Sequence, residues 1–264
     1  MDLKSVVFAS LIAALISANC NTYSHPDNVF YETHQRSHYL LMQSHQYDAA
    51  MELCNRWLQE SKDEAGAYAC RANTFATTGH YKEALLDIDE ALQLEPNSGA
   101  FYDERADIYR KSGDIKKALE NWHLGLQHVD SSEGAGGSWE HKNIGVIYMS
   151  QGRSKPAVEE FDQAARTNQK DTEAVYLRAN ALFACAQFEN SLKDLNYVIA
   201  REHEWKAAFQ RRAIILEKIG TSTAAAEEWK FIQSKKWTGK IATVHLLTPT
   251  FLTKYDIERL RNSH

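Results

Sequence analysis

A period of 34 residues dominates this sequence, and residues 65–98 and 99–132 carry it twice without a gap. Aromatic and small apolar residues recur at matching positions, with a glycine near the middle of each copy. The matched pairs are Tyr68 and Tyr102, Ala72 and Ala106, Phe75 and Tyr109, Gly79 and Gly113, Ala84 and Ala118, Ile88 and Trp122, and Leu92 and Leu126. The apolar positions before the glycine share one helix face, and those after it share another. The period therefore predicts two antiparallel helices joined by a turn, repeated along the chain.

Small residues in this pattern indicate where the helices pack closely. Ala72 and Ala84 stand where two antiparallel helices must cross, and Pro96 ends the unit because proline cannot continue a helix. By the same reasoning we expect Ala106 and Gly145 to lie at close helix crossings.

The order of aromatic, small, aromatic, small, large apolar and proline positions resembles the tetratricopeptide repeat. The resemblance implies an all-α solenoid, because one such repeat cannot bury its own apolar face and must pack against neighbours. Extending the register predicts about six helix-turn-helix repeats, a flexible glycine-rich insertion at 133–137, and a C-terminal capping helix within 240–264. The predicted repeats are 31–64, 65–98, 99–132, 138–171, 172–205 and 206–239.

The first 20 residues differ from the rest of the chain. Residues 5–18 form an apolar run that is shorter than the roughly 20 residues needed to span a bilayer. This pattern indicates a secretory signal, with a buried N-terminal helix as the alternative. The segment ending at Cys20 resembles a bacterial lipobox, so we expect lipidation of Cys20, with ordinary signal cleavage as the alternative. Residues 21–30 then form a tether, and the mature chain lies on the periplasmic side of a bacterial membrane, held by its lipid.

The remaining cysteines leave two interpretations open. Cys54 and Cys70 fall on helices that pack antiparallel, and an oxidising compartment would permit a disulfide between them. Alternatively, they are two small apolar residues of the core.

No catalytic motif is present, and the formal net charge of −5 does not favour a nucleic-acid partner. We therefore expect no enzyme activity and no cofactor. His34 and His38 have a spacing seen in metal sites, but both occupy core-facing positions, so no metal site is predicted. The tryptophans Trp57, Trp122 and Trp229 fall in apolar positions of second helices, which predicts that they belong to the core.

The resemblance also implies a binding surface, because the first helices of tetratricopeptide repeats line a concave groove that holds a peptide or a protein. The residues at groove-lining positions are Tyr39, Asn73, Asp103, Glu104, Asp107, Trp139, Lys142, Asn143, Tyr176, Asn180, Gln210 and Arg211.

Charge along these positions suggests a ligand type. Asp103, Glu104 and Asp107 cluster on one helix face, whereas Lys142 and Arg211 follow later in the chain. One interpretation is a solvated face with an ion pair between Asp103 and Lys142. The other is a groove that is acidic in the middle and basic toward its C-terminal end, which would select a ligand with a cationic residue.

The sequence thus predicts a non-enzymatic interaction module of the bacterial cell envelope, a scaffold or adaptor that holds a partner in its groove. The alternative is a dedicated inhibitor or immunity protein that blocks a periplasmic toxin or enzyme.

Overall fold

The computed structural model describes residues 26–128 and 137–237. Within these two stretches all regular secondary structure is helical, which confirms the all-α prediction. The predicted signal segment, most of the glycine-rich insertion and the predicted capping helix lie outside the described residues. The helices are α1 Pro26–Gln43, α2 Tyr47–Glu60, α3 Ala65–Thr77, α4 Tyr81–Leu94, α5 Gly99–Ser112, α6 Ile115–Gln127, α7 Ser138–Ser150, α8 Ser154–Thr167, α9 Thr172–Ala184, α10 Phe188–Arg201, α11 Lys206–Lys218 and α12 Ser222–Ser234.

The helices come in pairs, and the turn inside a pair needs a left-handed residue. Glycine supplies it in four pairs, for example Gly79 at φ +86° and Gly113 at φ +91°. His45 and Ala186 adopt φ +57° and +58° at the matching positions of the first and fifth pairs. The 34-residue register therefore fixes the backbone of the turn even where glycine is absent.

The start of α1 differs from our prediction. Residues 26–30, assigned to a tether, are helical, so α1 begins five residues before the predicted first repeat. Proline is well tolerated at the first position of a helix, where its missing N–H would have no partner in any case.

The described residues divide into two compact units, one ending at Ala118 and the other beginning at Leu119. In the N-terminal unit α1, α3 and α5 pack side by side, and in the C-terminal unit α7, α9 and α11 do the same. We call the outer surface of each layer the first-helix face. Each layer also packs against second helices of its own and of neighbouring repeats.

Close packing appears where the sequence indicated it. Trp57, Trp122 and Trp229 are buried, as predicted, and Ala106 is fully buried. A β-carbon at Gly145 would lie 2.6 Å from Cε1 of Phe161, which is closer than carbon atoms approach. The close crossing expected at Gly145 is therefore confirmed.

A recurring arginine joins three helices at once. Arg178 on α9 donates to both carboxylate oxygens of Asp194 on α10, each at 2.8 Å. Its remaining terminal nitrogen donates to Asp162 on α8, in the preceding repeat, at 2.7 Å. The two partners lie 16 residues after and before the arginine. We call this arrangement an arginine clamp, because it ties a first helix to the second helices of its own and the preceding repeat.

The clamp recurs at the same position of other repeats. Arg71 and Arg212 bond to side chains of both their own and the preceding repeat, whereas Arg105 shows the bond to the preceding repeat. The partners are Asn55 and Asp87 for Arg71, Asp89 for Arg105, and Asn196 and Glu228 for Arg212. In the fourth repeat Ile144 takes the arginine's position, and Glu160 instead contacts Nδ1 of His141 at 2.7 Å.

We expect Arg178→Met to lower the free energy of unfolding by about 2–4 kcal/mol, because it leaves the largely buried carboxylate of Asp194 without its cation. Arg166→Met is the matched control. Arg166 also pairs with Asp162, but its side chain is 71% exposed, so a change below about 0.5 kcal/mol is expected. Urea unfolding of both variants measures the difference. Equal unfolding midpoints would show that the clamp contributes no more than a surface ion pair.

Candidate functional site

The N-terminal unit has a pocket of about 350 Å³ on its first-helix face. Helices α1, α3 and α5 each supply part of its wall. Predicted site residues Tyr39, Asn73 and Glu104 all line it, so the structure brings these three together. The full lining is Gln35, His38, Tyr39, Met42, Gly66, Ala69, Cys70, Asn73, Ala100, Phe101 and Glu104.

Glu104 gives the pocket its carboxyl group. Burial raises the pKa of Glu104 to about 8, and a hydrogen bond from the Asn73 side chain offsets only part of this effect. Among the described residues, no lysine or arginine forms an ion pair with Glu104. The carboxyl is therefore largely protonated at neutral pH.

Asp107 behaves differently from Glu104, although both belong to the predicted acidic cluster. Burial alone would raise the pKa of Asp107, but Lys111 and Arg110 together lower it. The Lys111 ammonium lies 2.8 Å from one carboxylate oxygen, and Arg110 pairs with the other. Asp107 is thus neutralised on its own helix, and the three acidic side chains do not act as one negative surface.

A thiol pair lies beside this pocket. Cys54 and Cys70 are free and buried, so the structure has them as core residues. Their contact lowers the pKa of the Cys54 thiol to about 6, with His38 contributing, and the same contact raises the pKa of Cys70. Nε2 of His38 is hydrogen-bonded to Oγ1 of Thr74 at 2.8 Å, which fixes the imidazole in the wall of the pocket.

The C-terminal unit presents an aromatic ring on its first-helix face. Trp139 is 58% exposed, and its carbonyl oxygen accepts a hydrogen bond from Nδ2 of Asn143 at 3.0 Å. The Lys142 ammonium lies 2.8 Å from Asp171 and 3.0 Å from Glu173. Its charge is therefore balanced by two carboxylates of the same unit.

Three predicted site residues of this unit are not on the surface. Tyr176, Asn180 and Arg211 are buried, while Gln210 is partly exposed. The ring of Trp205 covers Tyr176 at a centroid distance of 4.6 Å, and the guanidinium of Arg211 lies 4.7 Å from the centre of the Phe183 ring. The basic C-terminal end that the sequence suggested is therefore wrong as a surface feature, since Arg211 is covered and Lys142 is neutralised.

Sequence reasoning missed part of the pocket wall. Met42, Ala69 and Phe101 line it, and so does His38, which the sequence placed in the core. Ala69 lies one helical turn before Asn73, and Phe101 lies three residues before Glu104, so the helical offset from the predicted residues was the available signal.

The histidines with metal-like spacing do not converge. His38 bonds to Thr74, whereas the ring of His34 packs against Trp57 at 5.0 Å. In the part of the chain that the structure describes, no group of three or more His, Cys, Asp or Glu side chains is arranged to hold a metal ion. Nor does any described helix have the length and apolar character needed to cross a membrane.

Comparisons with known proteins agree with this geometry. The family model described as Tetratricopeptide repeat matches residues 143–171. The chain is 30% identical over 111 residues to Tetratricopeptide repeat protein 36 of Xenopus tropicalis, covering 41% of this chain and 52% of that protein. The chain spans about half the length of the curated relatives it matches.

Solved structures share the fold at low sequence identity. PilW, a widely conserved type IV pilus biogenesis factor, superposes with a TM-score of 0.64 at 14% identity, covering 78% of this chain and 93% of PilW. YrrB, a TPR protein with an unusual peptide-binding site, superposes with a TM-score of 0.58 at 18% identity, covering 80% of this chain and all of YrrB. The helix pairs, their period and the match at residues 143–171 show that the described chain has the tetratricopeptide repeat fold.

Glu104 makes the stability of the fold depend on pH. Its pKa is higher in the folded chain, at about 8, than the ordinary carboxyl value of 4.5, so the folded state holds the proton more tightly. The contribution of protonated Glu104 to the free energy of unfolding is complete below pH 4.5. It is lost as the pH rises toward 8, by at most about 1.4 kcal/mol per pH unit. We expect Glu104→Gln to remove this loss, so that the variant gains stability over the wild type as the pH rises from 5 to 8.

Urea unfolding at several pH values measures this difference. Glu83→Gln, which changes an exposed carboxyl on α4, is the control and should follow the wild type. Parallel stability curves for Glu104→Gln and the wild type would contradict the assigned pKa.

Proposed function

We propose that this chain is a non-enzymatic interaction module that holds a protein or peptide partner on its first-helix faces. The observation that carries the proposal is the exposure of aromatic side chains on these faces. Tyr39 is 61% exposed beside the pocket, and Trp139 is 58% exposed in the C-terminal unit. Aromatic residues with a polar edge are enriched in protein interfaces, where they bury large areas at a small entropy cost.

The surroundings of these rings support the same function. Tyr39 borders a concave pocket whose walls are mainly apolar, with a few convergent polar groups, which is the usual composition of a binding site. Lys142, with its ammonium held by two carboxylates, lies 5.9 Å from the centre of the Trp139 ring. The Trp139 ring thus has a cation near it and remains largely exposed.

The cellular setting is part of the proposal. The apolar run at 5–18 and the lipobox-like segment ending at Cys20 support export and attachment to the periplasmic side of a bacterial membrane. The likeness to PilW, described as a pilus biogenesis factor, is compatible with a role in the cell envelope. The partner would then be another envelope protein.

Site-specific photo-crosslinking tests the proposed surface. A photoreactive phenylalanine analogue at position 39 or 139 is expected to capture the same partner in living cells. The control position is Leu86, which is 69% exposed on α4, a second helix. Capture from Leu86 with none from positions 39 and 139 would place the partner elsewhere and overturn the proposal.

The stoichiometry of the captured complex separates the two candidate roles. Several partners of modest affinity indicate a scaffold, whereas a single partner whose toxic or enzymatic activity is blocked in a one-to-one complex indicates an inhibitor.

Lipid attachment is tested at Cys20. We expect Cys20→Ala to release the exported chain from the membrane fraction into the periplasm, because the variant has no thiol to carry the lipid. Cys185→Ala is the matched control, since it removes a different cysteine and should leave the distribution unchanged. Fractionation followed by immunoblotting measures both variants. An unchanged membrane fraction for Cys20→Ala would contradict lipidation.

A further inference from the structure

We infer that the pocket of the N-terminal unit binds the ammonium group of a lysine side chain from the partner, with Glu104 as its counter-ion. The inference rests on the proposed function, because it specifies which chemical group of the partner enters this pocket. It differs from the acidic-cluster hypothesis in assigning the recognition to one carboxyl group and one cavity.

The walls of the pocket suit the long apolar stem of lysine. Ala69 and Ala100 are small residues on α3 and α5, and Phe101 and Met42 add apolar surface. Lysine side chains commonly lay their methylene groups along such surface while the ammonium reaches a polar site. The exposed ring of Tyr39 at the rim offers a further favourable contact to a cation.

Glu104 is the one acidic side chain in the pocket lining, and it has no ion-pair partner among the described residues. A single carboxyl group suits an ammonium ion, which is a compact charge. A guanidinium presents five donors in a fork that pairs best with two aligned acceptor oxygens, and Asn73 already bonds to this carboxyl.

The charged groups around Glu104 do not replace such a ligand. On its own helix, Lys111 is engaged by Asp107, and Asp103 is adjacent. From α3, Asn73 and Cys70 face the Glu104 carboxyl, and Cys54 contributes from α2.

From α1, His38 and Tyr39 line the same pocket. His38 is also a titratable member of this lining.

Proton exchange follows from this arrangement. In the free protein the Glu104 carboxyl holds its proton at neutral pH, because burial raises its pKa to about 8. When the ammonium binds, the carboxyl ionises and the proton passes to the solvent. Affinity should therefore rise about ten-fold for each pH unit well below 8 and flatten above it. Binding at pH 6.5 should release close to one proton.

The test uses the full chain and a defined probe, Nα-acetyl-lysine methylamide, titrated by NMR between pH 6 and 8.5. The neutral counterpart is Nα-acetyl-norleucine methylamide, which has the same stem without the charge. We expect the lysine probe to bind more tightly than the norleucine probe, with the stated rise in affinity. Calorimetry in buffers of different ionisation enthalpy counts the released protons.

Two variants identify the responsible group. Glu104→Gln is expected to abolish both the preference for the lysine probe and its pH dependence, and thermal melting confirms that the variant is folded. Glu83→Gln is expected to behave as the wild type. The inference is overturned if Glu104→Gln keeps the pH dependence of binding, because another titratable group would then be responsible for it. It is also overturned if the two probes bind equally or if neither binds.

Failure here can be told apart from failure of the proposed function. If crosslinking at positions 39 and 139 still captures the partner but the chain shows no preference for the lysine probe, only the lysine assignment fails. The proposed interaction module then stands.

Discussion

The arginine clamp is the interaction on which the order of this helical stack depends. A solenoid has no contacts between distant repeats, so its stability rests on each repeat and on the interface with the next. The clamp acts on both, because Arg178 holds Asp194 of its own repeat and Asp162 of the one before. Apolar packing favours burial but tolerates sliding between helices, whereas a bidentate guanidinium fixes direction and register.

The two first-helix faces differ because of a few side-chain volumes. In the N-terminal unit, Gly66 and Ala69 leave open space next to α5, and a pocket results. The residues at the same repeat positions in the C-terminal unit include Trp139, whose ring is 58% exposed, and Tyr176, which is buried against Trp205. One architecture thus presents a pocket with a carboxyl group in one unit and an exposed aromatic ring in the other.

Helix positions and core residues could be predicted from the sequence because they follow from the 34-residue period; α3 begins at Ala65 and Trp57 is buried, as expected. The site was predicted only in part. An offset gives the direction of a side chain and not what covers it. Tyr176 was therefore assigned to the surface, although Trp205, from the connection between α10 and α11, lies over it. The clamp was missed because comparison of apolar positions says nothing about the reach of an arginine, even though Arg71 and Arg105 share one position.

The clamp also constrains the number of residues between each arginine and its partners. Arg71, Arg178 and Arg212 each find their partners 16 residues away in both directions, so adding or removing one residue between an arginine and a partner would misplace that bond. Whole repeats, in contrast, can be gained or lost with every partner still in place. The five extra residues at 133–137 precede the repeat in which Ile144 replaces the arginine. The repeat that follows the extra residues is thus one in which no arginine has to reach a partner 16 residues back along the chain.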